Sequence, residues 1–132
     1  MSRHTYACHI RFSDVDIYQH VNNVKYFEYY QEARLAFMTS LGRETVEPGL
    51  SLVVARIAVD YKRPILWRGE PYPVETWVTG VGGSSFGLAA EIKDDGQVLS
   101  RAEVTMVTFD LDTQRSRPLT DQERARLQTA VE

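Results

Sequence analysis

Reactive side chains are densest in Phe12-Ser13-Asp14-Val15-Asp16-Ile17-Tyr18-Gln19-His20-Val21-Asn22-Asn23-Val24-Lys25-Tyr26. Two carboxylates, an imidazole and two side-chain amides fall in this one segment, ahead of a run with helical spacing. A helix start presents unpaired backbone N–H groups and a positive partial charge. Such a group polarises a carbonyl or holds an oxyanion. A carboxylate beside it attacks a carbonyl carbon directly or takes a proton from water. The same residue types also shape loops: Asp14, Asp16 and the Asn pair are cap and turn formers, and spacing alone leaves that reading open. Asp-x-Asp also occurs in magnesium sites of phosphotransferases, but on a larger parallel α/β domain than this chain offers. A transition-metal site on His20 and Asp16 would need a second histidine at ligand spacing, and the three histidines are scattered.

The elements around the segment are read from periodicity. Residues 5–12 alternate, with Tyr6, Cys8, Ile10 and Phe12 on one face, which predicts a strand buried on one side. This places Cys8 in the core. From Val24 to Leu41 there is no Gly or Pro, and Phe27, Tyr30, Ala33, Phe37 and Leu41 recur at three- and four-residue steps. That is a helical stripe, with Asn22 or Asn23 as N-cap and Gly42 as the stop. A turn-rich stretch at Glu47-Pro48-Gly49 follows. Strands are then expected over 51–62, 73–81, 85–93 and 98–109, with a hairpin turn at Asp95-Gly96. Thr120 and Glu123 have capping-box spacing for a short final helix. Short turns between successive strands argue for antiparallel pairing. The fold class is therefore α+β: one long apolar helix covered by a curved sheet of about five strands, as a single domain over 1–132.

Composition narrows the function classes. The chain has 132 residues, 43% hydrophobic and 25% charged, which is ordinary for one folded domain. Fifteen basic against eighteen acidic residues give a net charge of −3, which speaks against nucleic acid as partner. A single cysteine precludes an internal disulfide and a Cys-rich zinc site. No apolar run approaches the length of a membrane span or a signal segment, so a cytoplasmic location with no membrane partner is expected. The chain is short for an enzyme enclosing a deep pocket alone, which suggests a site shared with a second copy.

The segment from Asp14 to Tyr26 resembles the signature of hotdog-fold thioesterases, in particular the 4-hydroxybenzoyl-CoA thioesterase-like family. It is also similar to the active-site segment of acyl-ACP thioesterases. The resemblance is specific over about fifteen residues, and the element order extends it along nearly the whole chain. The ending Arg117-Pro118-Leu119 before a short helix is similar as well. The resemblance implies a hotdog fold, a homodimer or homotetramer with the site at the subunit interface, and hydrolysis of an acyl-CoA without a metal or other cofactor. It implies Asp16 as the catalytic carboxylate, His20 as its assistant, and a backbone amide at Asn23 polarising the thioester carbonyl. Two positions depart from the acyl-ACP pattern. Tyr18 stands where that branch has Asn, and Pro64 or Ile65 stands where it has an acidic or Cys partner. The simpler Asp-centred mechanism of the CoA branch is therefore expected.

Substrate contacts follow from the same resemblance. Lys62, Arg63 and Arg68 cluster after the second strand and are candidates for the phosphates of CoA, with Arg101, Arg115 and Arg117 as further candidates. Ser84 and Ser85, after Gly82-Gly83, resemble the turn near the substrate in this fold. Tyr26 matches the motif and is the first candidate to line an acyl pocket, ahead of Tyr29 and Phe27. An acyl carrier protein thioester is the alternative substrate. A hydratase or dehydratase acting on an acyl thioester, or a non-catalytic acyl-CoA-binding module, are the alternative functions.

Overall fold

The computed structural model describes residues 3–42 and 50–132. The Glu47-Pro48-Gly49 turn expected from the sequence lies outside the described residues. The chain forms β1 (His4–Cys8), a 3-10 turn (Phe12–Asp14), α1 (Lys25–Ser40), β2 (Leu50–Tyr61), β3 (Tyr72–Val81), β4 (Ser85–Asp94), β5 (Gln97–Asp110), β6 (Arg115–Ser116) and α2 (Asp121–Gln128). The strands make one antiparallel sheet in the order β1-β3-β4-β5-β2, with β6 paired to β5.

The four long strands match the expected spans to within one residue at each end. Asp95 and Gly96 both take positive φ, 51° and 79°, as a two-residue hairpin turn between β4 and β5 requires. The sheet gains a sixth strand that periodicity did not announce. The two-residue β6 pairs Ser116 with Phe109, after a turn in which Asp110 Oδ1 accepts the N–H groups of Asp112 and Thr113. The Thr120 capping box forms: Thr120 Oγ1 accepts the Glu123 N–H at 3.1 Å, and Glu123 Oε1 accepts the Thr120 N–H at 2.9 Å.

Two sequence expectations are corrected. The first strand ends at Cys8, not at residue 12, and Phe12 is 76% exposed instead of facing inward. The chain turns because Asp14 folds back onto the Arg11 N–H, which breaks the period-two pattern. The N-cap of α1 is also neither Asn. It is Val24, in helical conformation and without a side-chain cap bond. Asn22 makes its turn one residue earlier: Oδ1 accepts the Val24 N–H at 3.0 Å and its carbonyl accepts the Lys25 N–H at 2.9 Å. At the other end Gly42 has φ +92° and stops the helix as expected.

One face of α1 buries Tyr26, Tyr29, Tyr30, Ala33 and Phe37. The N-terminal half packs with Cys8, Tyr72, Val74, Ile92 and Leu99 from β1, β3, β4 and β5, and with Ile10 just past β1. Phe37 joins a second cluster with Val78, Phe86, Val104, Met106 and Leu127, closed by α2. Cys8 is buried, and burial above all pushes its thiol up to about 12, so it serves as a small core residue. Inside the apolar core, the Tyr30 hydroxyl donates to Ser100 Oγ at 2.7 Å, and Ser100 donates to the Asp60 carbonyl at 2.9 Å. This relay ties α1 to β5 and β2 at the strand ends nearest residues 13–23.

Removing one member of a buried hydrogen-bonded chain costs its net bond plus any group left unpaired. Tyr30→Phe should lower unfolding free energy by about 1 kcal/mol and Ser100→Ala by about 2 kcal/mol, since Ser100→Ala breaks both links. Urea unfolding of the two variants measures the difference.

Candidate active site

Residues 13–23 form a closed loop between β1 and α1. Its base is Asp14, a side chain with no solvent exposure. Asp14 Oδ2 accepts the Tyr29 hydroxyl at 2.6 Å and the Arg11 backbone N–H and Nε at 3.2 Å, while Oδ1 lies 3.0 Å from the Arg11 guanidinium. Burial alone would raise its pKa. The bonds from Tyr29 and Arg11 outweigh that and hold the carboxyl below its ordinary 3.8. The Tyr29 hydroxyl moves up in turn, by burial first and by Asp14 second. Asp14 is therefore an ionised anchor.

The backbone above it is stitched shut. Asn22 N–H donates to the Asp14 carbonyl at 2.8 Å, Val15 bridges Val21, and Asp16 N–H donates to the His20 carbonyl at 3.1 Å. Gln19 N–H closes a turn onto the Asp16 carbonyl at 2.9 Å, with Gln19 at φ 65°. The loop is docked on the following segment by Val21 N–H to the Ile65 carbonyl and by the His20–Leu66 bridge.

Asp16 lies half-buried on this loop. Oδ1 accepts the Tyr18 N–H at 2.9 Å, which fixes the carboxylate, and nothing among the described residues bonds Oδ2. His20 is brought to Asp16 through the backbone. Its ring is exposed and makes no hydrogen bond to the Asp16 carboxylate among the described residues. At Asn23 the side chain is exposed, the backbone N–H has no partner among the described residues, and the carbonyl accepts the Tyr61 hydroxyl at 2.9 Å. The loop-shaping and chemical readings of this segment thus divide by residue: Asp14 and Asn22 are committed to structure, while Asp16 and Asn23 each keep one free polar group.

Beside the loop is a concavity of about 450 Å³, lined by Phe12, Val15, Tyr18, Gln19, His20, Leu66 and Trp67. Phe12 meets Trp67 edge-on at 5.6 Å between centroids. Periodicity missed Phe12, Leu66 and Trp67. The available signal was the apolar run Ile65-Leu66-Trp67 in the stretch between two strands. Tyr26 is 3% exposed, with its ring 4.8 Å from that of Tyr61 at 72°. It backs the site from the core side instead of lining this concavity.

The candidate cations separate. Lys62 and Arg63 are exposed, and their backbone N–H groups both donate to the Leu99 carbonyl at 2.9 Å. Arg68 is engaged within the chain: it pairs with Asp94 at 2.9 Å, donates to the Glu70 and Pro71 carbonyls, and lies 3.6 Å over the Tyr72 ring. Arg101 pairs with Glu91 and Glu103, and Arg117 with Glu123. Ser84 and Ser85 are not brought to the loop in one chain. They sit past the end of β3 at Val81, whereas the loop lies near its start, where Tyr72 pairs with Cys8. Ten strand residues separate the two ends by about 30 Å. Among the described residues no group of three or more His, Cys, Asp or Glu could hold a metal ion, and no helix is long and apolar enough to cross a membrane.

Comparison with known proteins gives consistent matches. The family model described as the thioesterase-like superfamily matches residues 10–127. The chain is 30% identical over 128 residues to the long-chain acyl-CoA thioesterase FadM of Escherichia coli, covering 92% of this chain and 95% of that protein. It is 28% identical over 119 residues to the uncharacterized protein YsmA of Bacillus subtilis, covering 89% and 80%. A thioesterase from Thermus thermophilus, solved with coenzyme A and zinc, superposes with a TM-score of 0.82 at 30% identity, covering 96% of this chain and 92% of that one. The PA5185 protein of Pseudomonas aeruginosa, at 21% identity, shares the fold with a TM-score of 0.88 over 99% and 93% of the two chains.

The Asp14 anchor carries a pH signature. Its carboxyl is held below 3.8 in the folded chain, so its stabilisation is present above that value and fades as pH falls through the lower, folded-state value. Unfolding free energy should therefore drop below about pH 4 in the wild type and drop less in Asp14→Asn. At neutral pH the same variant should be about 2 kcal/mol less stable. Chemical denaturation at a series of pH values checks both.

Proposed function

The chain belongs to the thioesterase-like superfamily and is a thioester hydrolase; from that premise we propose that it cleaves an acyl-CoA to the free acid and CoA, with Asp16 as its catalytic carboxylate. The observation that carries the reading is the pairing of functions on one closed loop. Asp16 is fixed through Oδ1 and keeps Oδ2 available, and the Asn23 N–H at the start of α1 stays unpaired.

In this reading the thioester carbonyl oxygen accepts from the Asn23 N–H. That hydrogen bond strengthens as negative charge develops on the oxygen. Asp16 attacks the carbonyl carbon, giving an acyl anhydride that water then opens, or it takes a proton from the attacking water. His20 orients the water or the Asp16 carboxylate. The CoA thiolate leaves and is protonated by solvent. No metal or redox group is required for any of these steps.

The acyl group rests in the concavity of Phe12, Leu66 and Trp67. The apolar lining supports this, as does the likeness to a relative that acts on long-chain acyl-CoA. Lys62 and Arg63, exposed and free of ion pairs among the described residues, meet the phosphates of CoA. Arg68 serves that role only by giving up its pairing with Asp94. Tyr26 supports the site from behind.

The fold is the hotdog arrangement, with α1 as its wrapped helix, and the working unit is a homodimer or a homotetramer. Two observations support this. β2 is a twelve-residue strand at the edge of the sheet with Val53 and Val54 exposed, a surface suited to pairing with another copy. Ser84 and Ser85 lie too far from Asp16 in one chain to share a substrate, so a partner copy would have to supply them.

The test is thiol release across a panel of acyl-CoA esters. Asp16→Asn should lower turnover at least about 100-fold, the scale of a lost acid–base or nucleophilic group. Near-wild-type hydrolysis by that variant would sink the assignment. Light scattering of the wild type should give a dimer or tetramer mass, and a monomer at full activity would refute the shared site. Enoyl-CoA hydration without thiol release would favour a hydratase instead. Acyl-CoA binding with neither reaction would favour a binding module.

A further inference from the structure

Four hydrogen bonds define the turn that enters α1. Asn22 N–H donates to the Asp14 carbonyl, Lys25 N–H to the Asn22 carbonyl, and Val24 N–H to Asn22 Oδ1. The fourth is the Tyr61 hydroxyl on the Asn23 carbonyl at 2.9 Å. The first three are made by the loop to itself. The fourth comes from β2, 38 residues away in sequence, and is the contact that fastens this turn to the sheet.

The peptide between Asn23 and Val24 is thereby held at both ends, its N–H by Asn22 and its carbonyl by Tyr61. A turn of this kind interconverts readily by rotating one peptide plane. Rotation here would carry the Asn23 carbonyl away from β2 and turn the Val24 N–H with it, while the Asn23 N–H stays in the preceding peptide, whose carbonyl the Lys25 N–H holds. A carbonyl oxygen turned toward a developing oxyanion would repel it. The tyrosine is itself oriented: its ring meets the buried Tyr26 ring edge-on at 4.8 Å, and its strand position is fixed by pairing with Ser100, which the Tyr30 hydroxyl also engages.

We infer that Tyr61 is a positioning residue for the reaction: its hydroxyl holds the Asn23 carbonyl on β2 and so keeps that oxygen turned away from the thioester oxygen that the Asn23 N–H receives. This rests on the role given to Asn23 under the proposed function. Tyr61 touches no reacting atom. Its contribution is to keep an opposing carbonyl dipole out of the site before the substrate arrives, so it belongs to the transition state and not to ground-state affinity.

The experiment is Tyr61→Phe in the full chain, assayed beside the wild type and Asp16→Asn with the best acyl-CoA of the panel. The ring and its contact with Tyr26 stay, and only the hydroxyl goes. Because Tyr61 is 46% exposed, the variant is expected to keep its melting temperature and its assembly state. The expected result is a kcat about 10-fold lower with KM within about twofold, the pattern of an interaction made in the transition state. Amide exchange at Val24 should also be faster. Wild-type kcat in Tyr61→Phe, with Asp16→Asn inactive, overturns this inference alone. So does a raised KM at unchanged kcat, or a kcat loss that follows a loss of folded protein. An active Asp16→Asn overturns the Asp-centred reading and this inference with it.

Discussion

The site depends on a buried anion that takes no part in the proposed chemistry. Asp14 sits with its side chain out of solvent, bonded by the Tyr29 hydroxyl from α1 and by Arg11 from the end of β1. A buried carboxylate is tolerated only when its charge is compensated; Oδ2 takes the hydrogen bonds, Oδ1 has only the Arg11 guanidinium at 3.0 Å, and that demand fixes three elements at once. It bends the chain out of the β1 plane at Phe12, sets the rotation of α1 through Tyr29, and places the Asp14 carbonyl where Asn22 N–H meets it. The loop carrying Asp16 and His20 is strung between those fixed points. Loss of the anchor would leave the loop its own short-range turns but no fixed relation to the helix start.

This explains why two aspartates two residues apart have opposite environments. Asp14 is enclosed, paired and held below its ordinary pKa. Asp16 is half-exposed, with one oxygen held by a neighbouring backbone N–H. A carboxylate bonded as thoroughly as Asp14 makes a poor nucleophile or base, because its lone pairs are already engaged. A carboxylate with no fixed bond makes an imprecise one. Asp16 falls between these limits, and Asp14 supplies the rigidity that permits it.

Much of this was legible from residue spacing, for reasons that also mark where spacing stops. The four long strands and α1 follow from period-two and helical patterns, which report which face meets the core. The hairpin at Asp95-Gly96 and the Thr120 box follow from local backbone chemistry. What was missed depended on a side chain reaching back a few residues. Asp14 on the Arg11 N–H ends the first strand early, Asn22 takes the turn that its type suggested for a cap, and Asp110 nucleates the turn into β6. At the site, the segment from Asp14 to Tyr26 announced the reactive loop. It did not reveal that Arg68 is engaged by Asp94 and Tyr72, because these contacts join residues distant in sequence. Trp67 was hidden because it sits in a short irregular stretch where periodicity carries no information, and Phe12 was read as facing inward because the alternation runs on past the residue where the strand stops.

The surface around the loop argues for a covering partner. Ile17 and Tyr18 at its tip, with Phe12, Leu66 and Trp67 beside it, leave large apolar side chains in water on a chain of modest size. Isolated exposed apolar residues are normal, but a cluster around a polar loop is typical of a surface that is occupied in use. An acyl chain accounts for the concavity itself. It does not account for Ile17, which is 90% exposed and outside the concavity, or for the exposed Val53 and Val54 on the edge strand β2. A second copy set against that edge would cover apolar surface, lower the dielectric around Asp16 and Asn23, and strengthen the electrostatic interactions that a developing oxyanion requires. In that arrangement the small size of the chain and the openness of its site would have one cause: a single copy would provide the reactive loop, and pairing would provide its enclosure.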